Sequence, residues 1–205
     1  PELGDYVAVV GLGLIGIITV QLLKANGCKV IGIDLDPGKV ALALELGMDE
    51  GVDGSGDVEQ TVNRFTGGRL VDHTIITAAT KGNGPVETAG EITRRRGQVV
   101  VVGAVGMSIP RDVYYKKELE LKISMSYGPG RYDTSYEEGG IDYPYDYVRW
   151  TEQRNMQAVL GLVSEGKLDL KSLTTHRIAF DDALSAYEMI RSRSEPFVGI
   201  VLEYD

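Results

Sequence analysis

A doubly wound α/β fold built on a six-stranded parallel sheet is what this sequence predicts, and three observations predict it. Short runs rich in valine and isoleucine alternate with longer helix-like segments through the first half of the chain, the pattern of strands joined by crossover helices. A turn punctuated by glycines, Gly11-Leu12-Gly13-Leu14-Ile15-Gly16, stands between the first strand-like run and the first helix-like one. An acidic residue, Asp34, closes the second strand-like run 23 residues beyond Gly11.

Taken in order, Tyr6 to Val10 reads as a buried strand. Leu14 to Asn26 is apolar nearly all round, which predicts a helix buried on every side, and Gly27 is placed to end it. Lys29 to Ile33 is the second strand, and Pro37 to Leu46 a helix with proline in its first turn and Gly47 just past its end. A short third strand is expected near Asp49 to Val52, then a helix over about Val58 to Phe65 closed by Gly67-Gly68. Val71 to Thr77 is the fourth strand, Pro85 to Thr93 a helix, and Gln98 to Val102 a fifth strand buried by its valine run. Leu119 to Met125 alternates apolar and polar residues and reads as a sixth strand at the sheet edge. From Ser126 to Tyr147 six of the chain's eleven tyrosines gather among Gly128, Pro129, Gly130, Gly139, Gly140 and Pro144, predicting a long loop ordered by its own rings. Thr151 to Glu165 resumes as a helix stopped by Gly166, Asp181 to Ser192 is another, and Phe197 to Leu202 a last strand.

The glycine turn carries the chemistry. A glycine at 11 permits the tight turn, one at 13 lets a pyrophosphate approach the backbone, and one at 16 lets the helix pack closely. The helix N-terminus, with Leu14 and Ile15 in its first turn, then offers unpaired N–H groups and a positive dipole end to phosphates. This is the dinucleotide-binding arrangement of the Rossmann fold, and Asp34 sits where a carboxylate accepts hydrogen bonds from the adenosine ribose hydroxyls. That acid repels a 2′-phosphate, so NAD is the expected cofactor. Asp36, followed by Pro37, reads first as a helix N-cap and second as a rival ribose acid. Lys39, on the next helix, either reaches the ribose or is simply solvated.

Composition narrows the partners. With 21 basic and 30 acidic residues the net charge is -9, and the longest cationic run is Arg94-Arg95-Arg96, so a nucleic-acid partner is not expected. The longest apolar stretch, Leu12 to Leu23, is interrupted by Gly13, Gly16, Thr19 and Gln21, so no membrane span is expected. One cysteine, Cys28, allows no internal disulfide and fits a reducing, cytoplasmic setting. The chain opens on Pro1-Glu2-Leu3 without an initiator methionine and reads as part of a longer or processed protein.

The run Gly4 to Gly16, with Asp34, Lys39, Ala43 and Leu46-Gly47 after it, resembles the cofactor domain of zinc-type medium-chain alcohol dehydrogenases. Thr175-His176-Arg177-Ile178, then Phe180-Asp181-Asp182-Ala183 and Ala186-Tyr187, is similar to that family's C-terminal segment. Between them, Ser126 to Asp133 and Tyr147 to Glu152 resemble two-domain bacterial oxidoreductases instead.

The resemblance implies a dinucleotide-binding domain over residues 1–170 with the tyrosine-rich insertion at 126–150, and a segment over 171–205 that returns toward a catalytic domain absent from this sequence. It implies hydride transfer between NAD(H) and an alcohol or carbonyl, a sugar derivative among the candidates. Thr77, Ala78, Ala79, Gly103 and Ala104, at the ends of the fourth and fifth strands, would flank the nicotinamide, because strand ends line the crevice of such sheets. Ser126 and Tyr127 stand evenly between that role and loop packing. A homodimer paired through Leu119 to Met125 is also implied. Zinc, where the parent holds one, belongs to the absent domain, since Cys28, His73 and His176 are scattered without ligand spacing. No catalytic residue is therefore named, and the chain alone is expected to be inactive. The alternative is a regulatory module that senses NAD(H) without chemistry; a scaffold that has lost binding is a third reading, opposed by the intact glycines and Asp34. Arg131, Tyr132, Arg149 and Trp150 read either as a clamp on a polyhydroxylated substrate or as a packed loop or domain interface.

Overall fold

The computed structural model describes residues 1–204. The chain divides into two compact units, Pro1–Leu168 and Asp169–Asp205.

In the first unit β1 (Tyr6–Val10), α1 (Leu14–Ala25), β2 (Lys29–Ile33), α2 (Pro37–Glu45), β3 (Glu50–Val52), α3 (Val58–Thr66), β4 (Val71–Ile76), α4 (Gly84–Ile92), β5 (Thr93–Val101), α5 (Arg111–Lys117) and β6 (Glu120–Ile123) alternate along the chain. The short α6 (Thr134–Glu137) and the longer α7 (Glu152–Ser164) follow. The six strands form one parallel sheet in the order β3-β2-β1-β4-β5-β6. The chain starts in the middle, winds out to β3, and returns to β4 to wind the other way. The C-terminal ends of β1 and β4 therefore meet at the switch point where such sheets bind ligands.

The valine and isoleucine runs explain the sheet. Val7, Ala8 and Val9 are all fully buried, as a strand covered by helices on both faces requires. Ala8, Ile31, Val52, Val62, Val71 and Ile92 form one core cluster; Val10, Ile76, Val86, Ala89, Val99, Val101 and Tyr114 form another. Each fully buried valine or isoleucine contributes about 1.5–3 kcal/mol relative to exposure.

Four features differ from the sequence expectations. First, α1 is buried on one side only. Ile17, Val20 and Leu23 face the core, while Leu14 and Ile15 at its start are 38% and 54% exposed. Second, β5 begins at Thr93, where a helix was expected to end. Arg96 takes a left-handed φ of 59° within it, and pairing with β4 is interrupted between Val71 and His73. Third, α5 lies between β5 and β6, where no helix was expected. It is anchored by buried Tyr114, whose hydroxyl donates to the Val86 carbonyl at 2.8 Å and whose pKa burial pushes up to about 12. From the same helix the Lys117 ammonium donates to the carbonyls of Gly90, Glu91 and Thr93 at 2.8, 2.6 and 3.0 Å, closing the end of α4.

The fourth difference lies in the second unit. There β7 (Thr174–Ala179), read from sequence as a motif without a strand, pairs in parallel with β8 (Gly199–Glu203), around α8 (Ala183–Ser192). No described helix is long and apolar enough to cross a membrane.

Candidate functional site

The site is built on the turn after β1. Gly11 has a φ of 98°, a conformation that side chains rarely adopt, and a Cβ there would stand 2.6 Å from the Ala78 nitrogen. A Cβ on Gly16 would stand 1.9 Å from the Gly11 carbonyl oxygen, and one on Gly103 would stand 2.0 Å from the Ala78 carbonyl oxygen. These glycines let the ends of β1, β4 and β5 and the start of α1 close on one another. Gly13 is different: a Cβ there would meet nothing within 4 Å, so no neighbour in the protein requires a glycine at that position.

Backbone bonds tie the strand ends together. The Val10 carbonyl accepts from Thr77 N at 2.9 Å and Ala78 N at 3.0 Å. The Ile76 carbonyl accepts from Val102 N and Gly103 N, and the Ala104 carbonyl from Thr80 N, each at 2.9 Å. Thr77, Ala78, Gly103 and Ala104, named from sequence, thus lie side by side at the switch point, while exposed Ala79 follows them in the β4 loop.

Two side chains grip the turn. Thr77 Oγ1 donates to the Gly11 carbonyl at 2.5 Å. Asp34 Oδ2 accepts from Leu12 N at 2.6 Å, and its Oδ1 accepts from Asp36 N at 2.9 Å. A carboxylate has about four lone-pair sites, so two such bonds leave the half-buried Asp34 with acceptor capacity for a diol. Asp36 is the N-cap of α2, its Oδ1 accepting from Gly38 N at 2.9 Å. Lys39, half-buried, lies in the first turn of α2.

Electrostatically α1 differs from α2, α3 and α6. Asp36, Asp57 and Asp133 cap α2, α3 and α6 with their side chains. The cap of α1 is Gly13, which has no side chain to offer, and no acid stands in the helix's first turn. The orphan N–H groups and positive dipole end of α1 therefore lie beside the open space at Gly13 with no acid in their own first turn, and the Asp34 carboxylate is bound to the preceding Leu12 amide.

The insertion forms separate clusters. Arg131 lies over the rings of Tyr132 and Tyr127, with centroid distances of 4.4 and 5.6 Å, and pairs with Glu137. Arg149 lies 4.1 Å over Trp150 and 4.9 Å over Tyr145. Tyr136 stacks on Tyr143 at 5.5 Å, and its hydroxyl accepts from Gln153 N at 3.1 Å, capping α7 where Thr151 makes no side-chain cap of its own. Tyr127 and Trp150 line an apolar groove of about 980 Å³ between α1 and α7, together with Leu22, Met156 and Leu160.

The potential metal donors lie apart. Buried Cys28 approaches the Glu2 carbonyl, His73 Nε2 stands 3.0 Å from Asp5 Oδ2 on β4, and His176 is on β7. Among the described residues no group of three His, Cys, Asp or Glu side chains is placed to hold a metal ion.

Sequence reasoning missed the grips on the turn by Thr77 and by the second face of Asp34, and the Tyr136 cap. Neither Thr77 nor Tyr136 has a local signature, because their partners lie 66 and 17 residues away.

The profile of the family described as zinc-binding dehydrogenase matches residues 15–141. A D-xylulose reductase of Scheffersomyces stipitis is 29% identical over 201 residues, covering 92% of this chain and 48% of the relative. An alcohol dehydrogenase of Rhizobium meliloti is 30% identical over 169 residues, covering 81% of this chain and 48% of the relative. This chain thus spans about half the length of the curated relatives it matches. Among solved structures, a 2R,3R-butanediol dehydrogenase from Bacillus subtilis superposes with a TM-score of 0.76 at 25% identity, over 100% of this chain and 52% of that one. An Escherichia coli oxidoreductase of unknown specificity superposes with a TM-score of 0.79 at 21% identity, over 100% and 52% of the two chains.

Proposed function

This chain belongs to the zinc-binding dehydrogenase family, and from that premise we propose that it is the NAD(H)-binding part of an enzyme that moves a hydride between NAD(H) and an alcohol or carbonyl. One observation carries the reading: the uncapped N-terminus of α1, under the open space at Gly13, with the Asp34 carboxylate bonded to the adjoining Leu12 amide. The turn from Gly11 to Gly16 with Leu14 and Ile15 would hold the pyrophosphate, and Asp34, with Lys39 nearby, the adenosine ribose. Thr77, Ala78, Gly103 and Ala104 would flank the nicotinamide ring, which when bound gives or takes the hydride. The chain's own work is to bind the cofactor, orient it, and keep water from its inner face.

The match to the D-xylulose reductase extends over 92% of the chain and so reaches into the second unit, which supports an enzyme rather than a free-standing sensor of NAD(H). We read residues 1–170 as the cofactor domain and 171–205 as a return toward the catalytic half, on which the substrate groups and any zinc would reside. The single, buried cysteine supports a reducing, cytoplasmic setting. Strand β6 is the last in its sheet, and Ile123 on it is 73% exposed, which supports a homodimer paired along that edge.

The test is a titration of the chain with NADH by fluorescence or calorimetry, followed by assays of alcohols with NAD. Binding without turnover is expected. Absence of NADH binding refutes the cofactor reading, and alcohol turnover by this chain alone refutes the division of labour. Light scattering that finds a monomer at high concentration refutes the dimer.

A further inference from the structure

The peptide joining Gly11 to Leu12 is held at both ends by side chains. Its carbonyl accepts from Thr77 Oγ1 at 2.5 Å, and its N–H donates to Asp34 Oδ2 at 2.6 Å. The two grips come from opposite sides of β1, one from the end of β4 and one from the end of β2. Gly11, at a φ of 98° that side chains rarely adopt, leaves the backbone between β1 and α1 the wide conformational freedom of a glycine. Its plane sets the direction of the N–H groups that follow it into the helix. The Gly11 carbonyl oxygen lies 1.9 Å, and the Thr77 hydroxyl 2.9 Å, from the position a Gly16 Cβ would take, so both are packed against the start of α1.

We infer that Thr77 is a positioning residue for the phosphate-binding turn: its hydroxyl fixes the Gly11–Leu12 peptide so that the N-terminus of α1 is aimed at a pyrophosphate before the cofactor arrives. This deepens the cofactor reading and rests on it. In that reading Thr77 stood beside the nicotinamide; here its hydroxyl proton is committed to the turn instead, and the residue acts at the phosphates through the backbone. The gain is preorganisation, since a loop ordered in advance loses less entropy on binding.

Valine at 77 keeps the size and branching of threonine and removes the hydroxyl. Loss of one such bond should weaken ADP-ribose and NADH between about threefold and tenfold. Adenosine, which has no phosphate to meet the turn, should bind Thr77→Val as it binds the wild type. Thr77→Ser keeps the donor and should restore ADP-ribose binding. A general loss of structure would weaken adenosine and ADP-ribose alike, and that outcome overturns the inference. So does Thr77→Val binding ADP-ribose as tightly as the wild type, or Thr77→Ser binding as poorly as Thr77→Val. Should Thr77→Val fail to fold, Thr77→Ala and Thr77→Ser are compared in its place, with the same expectations. A wild-type chain that binds neither NADH nor ADP-ribose overturns the cofactor reading together with this inference. A wild type that binds both, with variants that bind equally well, overturns this inference alone.

Discussion

Asp34 accepts a hydrogen bond from the Leu12 amide at 2.6 Å, so the residue that closes β2 also braces the glycine turn after β1. Its carboxylate therefore has a task toward the protein and, in the proposed function, a second one toward a ribose. With Leu35 and Asp36 next along the chain, no arginine adjoins it to offset a 2′-phosphate. NAD should bind at least about a hundredfold more tightly than NADP, equivalent to roughly 3 kcal/mol. Asp34→Ser should narrow that gap by weakening NAD, and because the brace on Leu12 is lost as well, it should not raise NADP affinity above the wild-type value. Competitive titration of the two cofactors decides this. Equal wild-type affinities would remove Asp34 from the ribose site.

The glycines of the turn separate into two kinds. Gly16→Ala forces a methyl group against the Gly11 carbonyl, where 1.9 Å is available to its Cβ. Overpacking of this kind costs about 1–3 kcal/mol, a fall in Tm of roughly 2–12 °C for a chain of this size. Gly13→Ala meets no protein atom and should lower Tm by no more than about 4 °C, the cost of a poorer helix cap, while NADH affinity falls. Thermal melts and NADH titrations of both variants make the comparison, and a Gly13→Ala chain that keeps full affinity would show that no ligand approaches there.

Histidine 73 gives the fold a pH dependence. Burial is the largest influence on its pKa and lowers it below the ordinary imidazole value of 6.5, although the Asp5 carboxylate 3.0 Å away pulls the other way. The folded state thus binds this proton less readily than the unfolded chain. By linkage, stability is full above the unfolded pKa and declines as pH falls below it toward the lower folded value. The wild-type Tm should drop between pH 7 and pH 5, and His73→Gln should flatten the part of that slope due to this residue. Melts across the range measure it, and an unchanged slope in the variant would mean that carboxylates dominate.

Tyrosine 136 should matter to α7 through its hydroxyl alone. Tyr136→Phe keeps the stacking on Tyr143 and removes the acceptor for the Gln153 amide. Loss of a helix cap costs about 1 kcal/mol. Amide exchange at Gln153 should accelerate while the amides of β1 and β4 stay protected, and equal rates in the two proteins would dismiss the cap.

Much of the fold was legible in the sequence because its signals are local. The valine runs of β1 and β5, the Pro37 start of α2 and the Gly67-Gly68 end of α3 each act within a few residues of themselves. The glycine spacing with Asp34 marked the candidate site for the same reason. The unforeseen parts depend on distant partners. Helix α5 has only seven residues and is held by Tyr114 reaching the Val86 carbonyl and Lys117 reaching the end of α4. The early start of β5 places Arg94-Arg95-Arg96 in a strand, where Arg94 pairs with Asp72 and Arg96 with Glu118. The apolar residues of α1 mark a helix but do not say which side stays uncovered, and Leu14 and Ile15 are exposed at its start.

The bond from Thr77 to Gly11 spans 66 residues, and that separation sets an order of events during synthesis. A ribosome that has released only β1, α1 and β2 has already emitted every glycine of the turn and the acid that braces it, yet the strand that completes the turn is still to come. Contacts of such long range form late in folding. The growing polypeptide therefore carries its glycine turn unassembled through the early stages of synthesis, and the turn takes its final form only once β4 has docked beside β1.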